Sequence, residues 1–525
     1  MPDQDENRSA LDRVSPGLVE RIRWPGPVFW GVFATALVSV LLRVPFLSVP
    51  MITDEGGYAY VAKFWSDDYQ LYRDIPFDRP QLIFWLYRAA FVLFGTDVES
   101  IRLFAAFYNA ATVVAVFLLC RRIHSTREGL IGAGLFAVFS VSPSIEGFTA
   151  NAELFMLLPG VVAAHLTFDR RWFSAGLVGA IAVLLKPSGA AAFALIGAWV
   201  LVVGAPWLRS WGLGALGALV GVLPSVVHGT WIGAEHFWAS IALRLGLYNA
   251  ETVAASTQWR GMRSGLEITL PAWAFLALAA GLGAVRRAGP ERSFAALWLL
   301  ASLLGIAAGG WWRQHYFMQL IPPLCLLASA GLPAWRAGHL RVAWGIALAL
   351  ALVPFVQRDL RLMTLEPDAI SWRLYHRPGY LLSDEIARYV QRTTKPDETI
   401  YVAFAQAEFY YLAERRNAAP QFYYLAAEHS GEVFGRVIEA LEQRRPSLVL
   451  LVQDPPPQRM SRADFQAILD RGYAWDADFS LDPDRPMIRA FRRRPAPPAE
   501  NAARESDATK GDPTHALAEA GRADR

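Results

Sequence analysis

Long stretches of apolar residues alternate with short polar joints over roughly the first two thirds of the chain. A helix needs about 20 apolar residues to cross a hydrocarbon core that is roughly 30 Å thick. Eleven stretches predict such crossings: residues 28–49, 101–120, 130–145, 154–168, 172–185, 189–204, 211–227, 268–285, 294–309, 316–332 and 342–356. The pattern therefore predicts a mainly α-helical, polytopic membrane protein with about 11 transmembrane helices.

One further apolar segment, residues 81–94, has only 14 residues, a length that favours a helix lying on the membrane surface. Counting it as a crossing would also move Arg121 and Arg122 to the outer side, although cationic short joints stay in the cytoplasm. We therefore expect it to lie along the outer surface, with Arg88 extended towards the headgroups. With the N-terminus inside, the loop of residues 50–100 and everything after residue 357 then lie outside.

The chain after residue 357 has a different pattern, in which short apolar runs alternate with helical segments. Strands are predicted at residues 399–404, 447–452 and 487–492, and helices at 406–414, 433–443 and 463–471. This alternation predicts a small extracytoplasmic α/β domain. The predicted organisation is a disordered cytoplasmic tail (1–25), a transmembrane domain (26–357), the α/β domain (358–494) and a second disordered tail (495–525).

Composition supports the membrane prediction. Of the 525 residues, 54% are hydrophobic and 18% charged, with a net charge of +3, whereas soluble domains have about 25% charged residues. These values exclude a wholly soluble enzyme, a disordered scaffold and a nucleic-acid-binding protein. Cys120 and Cys325 lie inside apolar runs, so we expect neither a disulfide framework nor a metal cluster.

Ionisable residues are concentrated in the loop of residues 50–100, directly after the first predicted span. Asp54 and Glu55 come first, and Tyr58 falls on the same helical face as Asp54 if a helix begins here. Asp54 is then either the cap of that helix or a general base. Ionisable groups near lipid are costly and tend to mark substrate paths, and an arginine such as Arg79 can bind a lipid phosphate with two hydrogen bonds.

This arrangement resembles the GT-C superfamily of membrane glycosyltransferases, and more closely glycosyltransferase family 39, which includes protein O-mannosyltransferases and the aminoarabinose transferase of lipid A. The acidic pair after the first span, the basic-Pro step Asp78-Arg79-Pro80 and the apolar helix that follows carry the resemblance. Three further motifs are similar to the family's acidic loop, lysine step and entry to a late span: Asn151-Ala152-Glu153, Leu185-Lys186-Pro187 and Arg313-Gln314-His315-Tyr316-Phe317. The family has a lysine and two prolines where this chain has Arg79-Pro80-Gln81.

The resemblance implies inverting transfer of a sugar from a polyprenyl-phosphate donor to an extracytoplasmic glycan, lipid or protein at the inner (plasma) membrane. It implies that Asp54 deprotonates the acceptor and that no metal or other cofactor takes part. The residues expected to bind the donor phosphate are Arg79, Lys186, Arg313 and His315. Those expected to bind the sugar or the acceptor are Glu55, Tyr58, Asp78, Asn151 and Glu153.

Other interpretations of the same residues stay open. Arg79 and Lys186 are also typical of charged anchors at span ends, and His315 lies beside Trp311 and Trp312 as in an aromatic belt. The segment 228–238 suggests either a loop that closes over the donor or an interfacial helix. The main alternative function is a transporter or lipid flippase, although no paired repeat with broken helices is evident. A polysaccharide polymerase or ligase would be expected to have its large loop between later spans.

Overall fold

A computed structural model describes residues 26–247, 254–286, 289–334, 340–403, 406–419, 431–452, 462–482 and 487–495. The predicted tails, residues 1–25 and all but the first residue of 495–525, lie outside the described residues. The chain forms two compact units, Met1–Asp384 with Gln406–Leu412 and Glu385–Ala405 with Ala413–Arg525. Each is described by itself below.

The first unit is built from helices. They are α1 (Pro27–Leu41), α2 (Thr53–Phe64), α3 (Leu82–Leu93), α4 (Val98–Ile123), α5 (Thr126–Phe139), α6 (Ala152–Phe168), α7 (Trp172–Leu185), α8 (Ala191–Val202), α9 (Trp207–Leu247), α10 (Ala255–Arg286), α11 (Pro290–Ala308), α12 (Ile321–Ala334), α13 (Arg341–Phe355) and α14 (Pro367–Tyr375). Helix α15 (Pro378–Thr393) begins in this unit and ends in the second, and α16 (Ala407–Ala413) belongs to this unit up to Leu412. Short helical turns occur at Val44–Phe46, Pro143–Ile145, Pro187–Ala190, Gln314–Leu320 and Val356–Leu360.

Within the described residues, seven helical stretches are long and apolar enough to cross a membrane. They are Pro27–Phe46, Val98–Ile123, Trp207–Ala242, Ala255–Val285, Pro290–Ala308, Gln314–Pro333 and Arg341–Leu360. Each coincides with a predicted span, so the polytopic, mainly helical fold is confirmed. The other four predicted spans fall on the shorter helices α5 to α8, and the total of eleven crossings stays a prediction.

Small residues allow the helices of this unit to pack closely. A Cβ added at Gly176 of α7 would lie 2.0 Å from the carbonyl oxygen of Gly214 in α9, and one at Gly283 of α10 would lie 2.0 Å from that of Leu327 in α12. Only glycine permits such close backbone approach. This packing is typical of helices in lipid, where van der Waals contact and hydrogen bonds replace the hydrophobic effect between helices.

The joint between α5 and α6 is buried throughout residues 140–151. The buried Arg43 donates hydrogen bonds of 3.0 Å to the carbonyl oxygens of both Ser140 and Gly147. Asp359 accepts a bond of 2.6 Å from the Ser144 hydroxyl. Because charges out of water need such partners, this short joint is a fixed element that places the start of α6.

The second unit contains a five-stranded mixed sheet, and the predicted α/β fold is confirmed. Its strands are β1 (Thr399–Ala403), β2 (Arg416–Asn417), β3 (Leu448–Val452), β4 (Tyr473–Phe479) and β5 (Ile488–Arg493), in the order β2-β1-β3-β5-β4. β1 runs parallel to β2 and β3, and β5 runs antiparallel to β3 and β4. Helices α17 (Gly431–Arg444) and α18 (Arg462–Gly472) bury Val437, Leu441 and Leu469 in the core around Val449.

Candidate active site

Helix α2 brings the acidic pair to the centre of the first unit. It begins at Thr53, so Asp54 lies in its first turn and is not its cap. The N-terminal turn of a helix favours a carboxylate, because its free N–H groups and the aligned peptide dipoles carry partial positive charge. Residues 55–62 are all buried, whereas Asp54 is half-buried. The predicted loop thus contains a buried helix whose first acidic residue keeps access to solvent.

Asp54 is joined to the start of α6 through Asn151. The side-chain amide of Asn151 donates a hydrogen bond to Asp54 Oδ2 at 3.3 Å. The amide oxygen of Asn151 accepts a bond of 2.8 Å from the backbone N–H of Ala152, in the first turn of α6. Asn151 therefore caps α6 with its oxygen and orients Asp54 with its nitrogen.

A buried network of ionisable groups follows directly along α6. Glu153 Oε1 lies 2.6 Å from the Lys186 ammonium and 3.6 Å from Nε2 of His315. The other ring nitrogen of His315 lies 2.9 Å from Glu146 Oε2. Asp54 is close enough to Glu153 to interact with it electrostatically. The structure therefore brings four of the predicted residues, Asp54, Glu153, Lys186 and His315, into one neighbourhood.

Breaks in regular helix position the two cationic members of this network. Lys186 has extended backbone angles (φ −149°, ψ 130°) at the end of α7, before the turn Pro187–Ala190. The free carbonyl groups at a helix C-terminus favour a cation there. His315 lies in the helical turn Gln314–Leu320 that precedes α12. The Lys186 ammonium also lies 4.9 Å from the centre of the Tyr316 ring.

The sequence did not point to Glu146, which lies five residues before the motif Asn151-Ala152-Glu153. Its backbone is left-handed (φ 56°, ψ 30°), a conformation that is costly for a residue other than glycine and that clusters at functional sites. Its carboxylate is the hydrogen-bond partner of His315. Because the two residues are 169 positions apart, no local pattern indicates this contact.

Tyr58 and Arg79 form another part of the same neighbourhood. Tyr58 is almost completely buried, and its hydroxyl interacts electrostatically with Arg79, Asp54 and Glu153. Burial raises the pKa of the Tyr58 hydroxyl well above its usual range, so the group stays a neutral donor and acceptor. The Arg79 guanidinium is buried and lies 2.9 Å from Asp78 Oδ2. Asp78 and Arg79, the two charged residues of the basic-Pro step, therefore form an ion pair with each other.

Glu55 has a different environment from Asp54. It forms a buried ion pair with Arg102, with Nη2–Oε2 and Nε–Oε1 distances of 2.6 Å and 3.0 Å. Glu55 Oε1 also accepts a bond of 2.8 Å from the backbone N–H of Ala150. Arg102 in turn donates to the backbone carbonyl of Phe46 at 3.1 Å. Both Glu55 oxygens are thus occupied by the protein, and this pair fixes α2 against the end of the first span.

Arg313 and the segment 228–238 have more exposed surroundings than the buried network. Arg313 is exposed, and its guanidinium lies 5.5 Å from the centre of the Trp311 ring. The segment 228–238 is not a loop but part of α9, which bends where Gly233 has a φ of 153°. The ring of His228 packs beside Trp65 at 5.6 Å. The segment is therefore helical, and the interfacial position of this helix stays a prediction.

Within the described part of the chain, no three His, Cys, Asp or Glu side chains lie close enough to hold a metal ion together. Metal independence itself stays a prediction. The arrangement offers instead a half-buried carboxylate beside a lysine, an arginine and a histidine. Preplaced cations of this kind stabilise negative charge that develops on a substrate in a site of low polarity.

Comparisons with known proteins bear on the fold. Residues 78–231 match the family model described as dolichyl-phosphate-mannose-protein mannosyltransferase. The chain has a TM-score of 0.64 with the crystal structure of ArnT from Cupriavidus metallidurans bound to undecaprenyl phosphate, at 15% identity over 90% of this chain and 99% of that one. The chain has the fold of the GT-C glycosyltransferases. The resemblance predicted from the sequence is confirmed.

Curated relatives are similar to this chain over part of their length. An undecaprenyl phosphate-alpha-4-amino-4-deoxy-L-arabinose arabinosyl transferase of Pseudomonas fluorescens is 27% identical over 53% of this chain and 56% of the relative. That of Pseudomonas aeruginosa is 27% identical over 58% of this chain and 57% of the relative. The chain thus spans just over half the length of the curated relatives that it matches.

Proposed function

We propose that the protein is an integral-membrane glycosyltransferase that moves a sugar from a polyprenyl-phosphate donor to an acceptor outside the cytoplasm. The observation that carries the proposal is the half-buried Asp54, oriented by Asn151 at 3.3 Å and set beside the Lys186–Glu153–His315 network. Relatives named for transfer from an undecaprenyl-phosphate sugar support the class of donor. No metal or other cofactor is needed in this proposal.

The chemistry follows from the charges in the site. Asp54 takes the proton of the acceptor nucleophile, whose oxygen attacks C1 of the sugar from the face opposite the lipid phosphate. The C1–O bond breaks, its electron pair leaves with the phosphate, and the configuration at C1 inverts. Lys186, Arg79 and His315 stabilise the negative charge on that phosphate, and exposed Arg313 attracts the donor headgroup.

Neighbouring polar groups hold the sugar and the acceptor. Tyr58 supplies a neutral hydroxyl, and Asn151, Asp78 and Glu153 supply amide and carboxylate groups for sugar hydroxyls. Glu55 contributes through its ion pair with Arg102, which keeps α2 in place. A glycan, a lipid or a protein could each provide the accepting group.

Orientation in the membrane follows from the charges at the two ends of α6. Asn151 lies at its N-terminal end and Arg170 and Arg171 follow its C-terminal end. A helix of 17 residues is about 25 Å long, close to the thickness of the hydrocarbon core, and we infer that α6 crosses the membrane with its ends near opposite surfaces. Because arginine-rich joints stay in the cytoplasm, the site faces outwards, with the N-terminus inside. We accordingly assign the protein to the inner membrane of the cell, in contact with the bilayer.

The test compares cells that contain this protein with cells that lack it. Polyprenyl-phosphate lipids and envelope glycans are extracted from both and analysed by mass spectrometry. The proposal predicts that one lipid-linked sugar accumulates and one glycan decoration disappears when the protein is absent. Movement of a lipid-linked sugar across proteoliposomes with no glycoside product would contradict the proposal and identify a flippase.

A further inference from the structure

A carboxyl group outside the site described above is fully buried. Glu408 lies in α16, within the segment Gln406–Leu412 that belongs to the first unit, and its exposed fraction is 0%. Neither of its carboxyl oxygens makes a hydrogen bond with the residues that the structure describes. Buried polar groups are nearly always hydrogen-bonded, so a group of this kind needs an explanation.

The position of Glu408 is fixed by close packing against α2. A Cβ added at Gly56 would lie 2.4 Å from the Cα and 2.5 Å from the backbone nitrogen of Glu408. Side-chain contacts hold the same two helices together, because the rings of Tyr60 and Tyr410 lie 5.6 Å apart. Glu408 therefore packs directly against α2 at Gly56, which is two residues after Asp54 in the chain.

The groups around Glu408 come from three places in the first unit. Asp54 and Thr53 face it from α2, Tyr380 from α15, and Arg377 from the residue before α15. The Thr53 and Tyr380 hydroxyls lie 3.3 Å from each other. Burial, with a smaller contribution from the charge of Asp54, raises the pKa of Glu408 to about 8, and the Thr53 hydroxyl and the exposed Arg377 only partly oppose this rise.

Two carboxyl groups in one another's field release their protons in separate steps. Asp54 and Glu408 both lie in the first turn of a helix. Asp54, however, is half-buried and accepts a hydrogen bond from Asn151, whereas Glu408 is fully buried. The first proton is therefore lost from Asp54, and Glu408 stays protonated at neutral pH. This order gives the pair a single negative charge on the group that faces the substrate.

We propose that Glu408 is a positioning residue for sugar transfer, a neutral carboxylic acid that keeps the negative charge of the pair on Asp54. The proposal rests on the proposed function of Asp54. When Glu408 ionises, a second negative charge appears beside Asp54 and repels the anionic donor. Transfer then weakens on the alkaline side, chiefly through a higher KM for the donor.

The first test measures transfer by the purified full-length protein against pH, for the wild type, E408Q and the control E414Q. Glutamine resembles the neutral form of Glu408, and the exposed Glu414 controls for the loss of one carboxylate. We expect E408Q to match the wild type at neutral pH. One pH unit above the wild-type midpoint it should be about tenfold more active at limiting donor, while E414Q follows the wild type. An unchanged alkaline fall in E408Q would overturn the proposal, as would loss of activity at every pH.

A second measurement needs neither a folded E408Q nor sugar transfer. Infrared difference spectroscopy follows the C=O stretch of protonated carboxyl groups while the pH is raised. We expect a band that disappears as Glu408 ionises, and in D54N this loss should occur at lower pH, because the neighbouring charge is gone. A titration that D54N leaves unchanged would overturn the coupling. A wild type with the expected titration but no transfer would instead contradict the proposed function.

Discussion

The amide of Asn151 lies 3.3 Å from Asp54 Oδ2 while its oxygen caps α6. One side chain therefore connects the beginning of α6 to the proposed base. The two tasks can be separated by substitution, because a helix cap needs only an acceptor oxygen whereas Asp54 needs a donor.

We predict different effects for N151A and N151D. N151A removes both the cap and the donor, so the protein should lose about 1 kcal/mol of stability and most of its transfer activity. N151D keeps the cap but adds a negative charge beside Asp54, so stability should be close to wild type while the acidic limb of the pH–rate profile moves to higher pH. Thermal unfolding and transfer assays check both. Equal transfer by N151D and the wild type would mean that this hydrogen bond has no catalytic consequence.

The buried Lys186–Glu153 pair, 2.6 Å apart, predicts an asymmetric mutant cycle. K186M leaves the Glu153 charge without its cation and should cost about 3–5 kcal/mol. The double variant K186M/E153Q removes both charges and should recover most of that stability, yet not the transfer activity, because the donor phosphate has lost its ammonium group. Unfolding in detergent and donor-dependent rates provide the two readouts. Transfer that returns together with stability would limit Lys186 to a structural role.

Replacing Glu55 by its amide should affect the protein differently from the same change at Asp54. E55Q weakens a buried ion pair in which both oxygens are bonded to Arg102. We therefore expect a clear drop in melting temperature, with transfer falling in proportion to the amount of folded protein. E55Q with unchanged stability but no transfer would indicate that Glu55 binds substrate directly.

Gly56 should not tolerate replacement by any residue that has a Cβ. In G56A the new Cβ would lie 2.4 Å from the Glu408 Cα, so α16 must move and stability must fall. Gly134 in α5 is a matched control, since nothing lies within 4 Å of a Cβ added there. G134A should be neutral or stabilising by up to about 1 kcal/mol. If the two variants unfold at the same temperature, α16 does not pack on α2 as described.

Glu408 also predicts the direction of a stability change with pH. Its folded pKa of about 8 lies above its ordinary value of 4.5, so the folded state holds a proton that the unfolded chain releases. The contribution is fully present below the ordinary value and is lost as the pH rises towards and through 8. Unfolding curves of the wild type should therefore move to lower temperature over this interval more than those of E408Q. A parallel pH dependence of both proteins would contradict the assignment of the proton to Glu408.

Sequence reasoning found the parts of the site that lie at the ends of apolar runs. Asp54, Lys186 and His315 each stand where a predicted helix begins or ends, so hydropathy and family resemblance point to them together. Asn151 and Glu153 were found in the short joint for the same reason.

The missed groups are defined by partners far away in the chain. Arg43 and Arg102 lie inside apolar stretches, and a charge in such a place was an available signal. Glu146 and Glu408 gave no such signal in the sequence, because each takes part in the site only through a contact that the fold creates. In the second unit, β4 was missed because its middle residues are mostly exposed, so its sequence lacks the alternation of a half-buried strand.

The most direct test of the central claim is sugar transfer by D54N, with D67N as the control. Asp67 is exposed in the same loop and loses the same charge. We predict that both variants fold and enter the membrane, that D67N transfers sugar like the wild type, and that D54N is slower by about 10²- to 10⁴-fold while the donor lipid accumulates. Transfer by folded D54N at the wild-type rate would contradict the account.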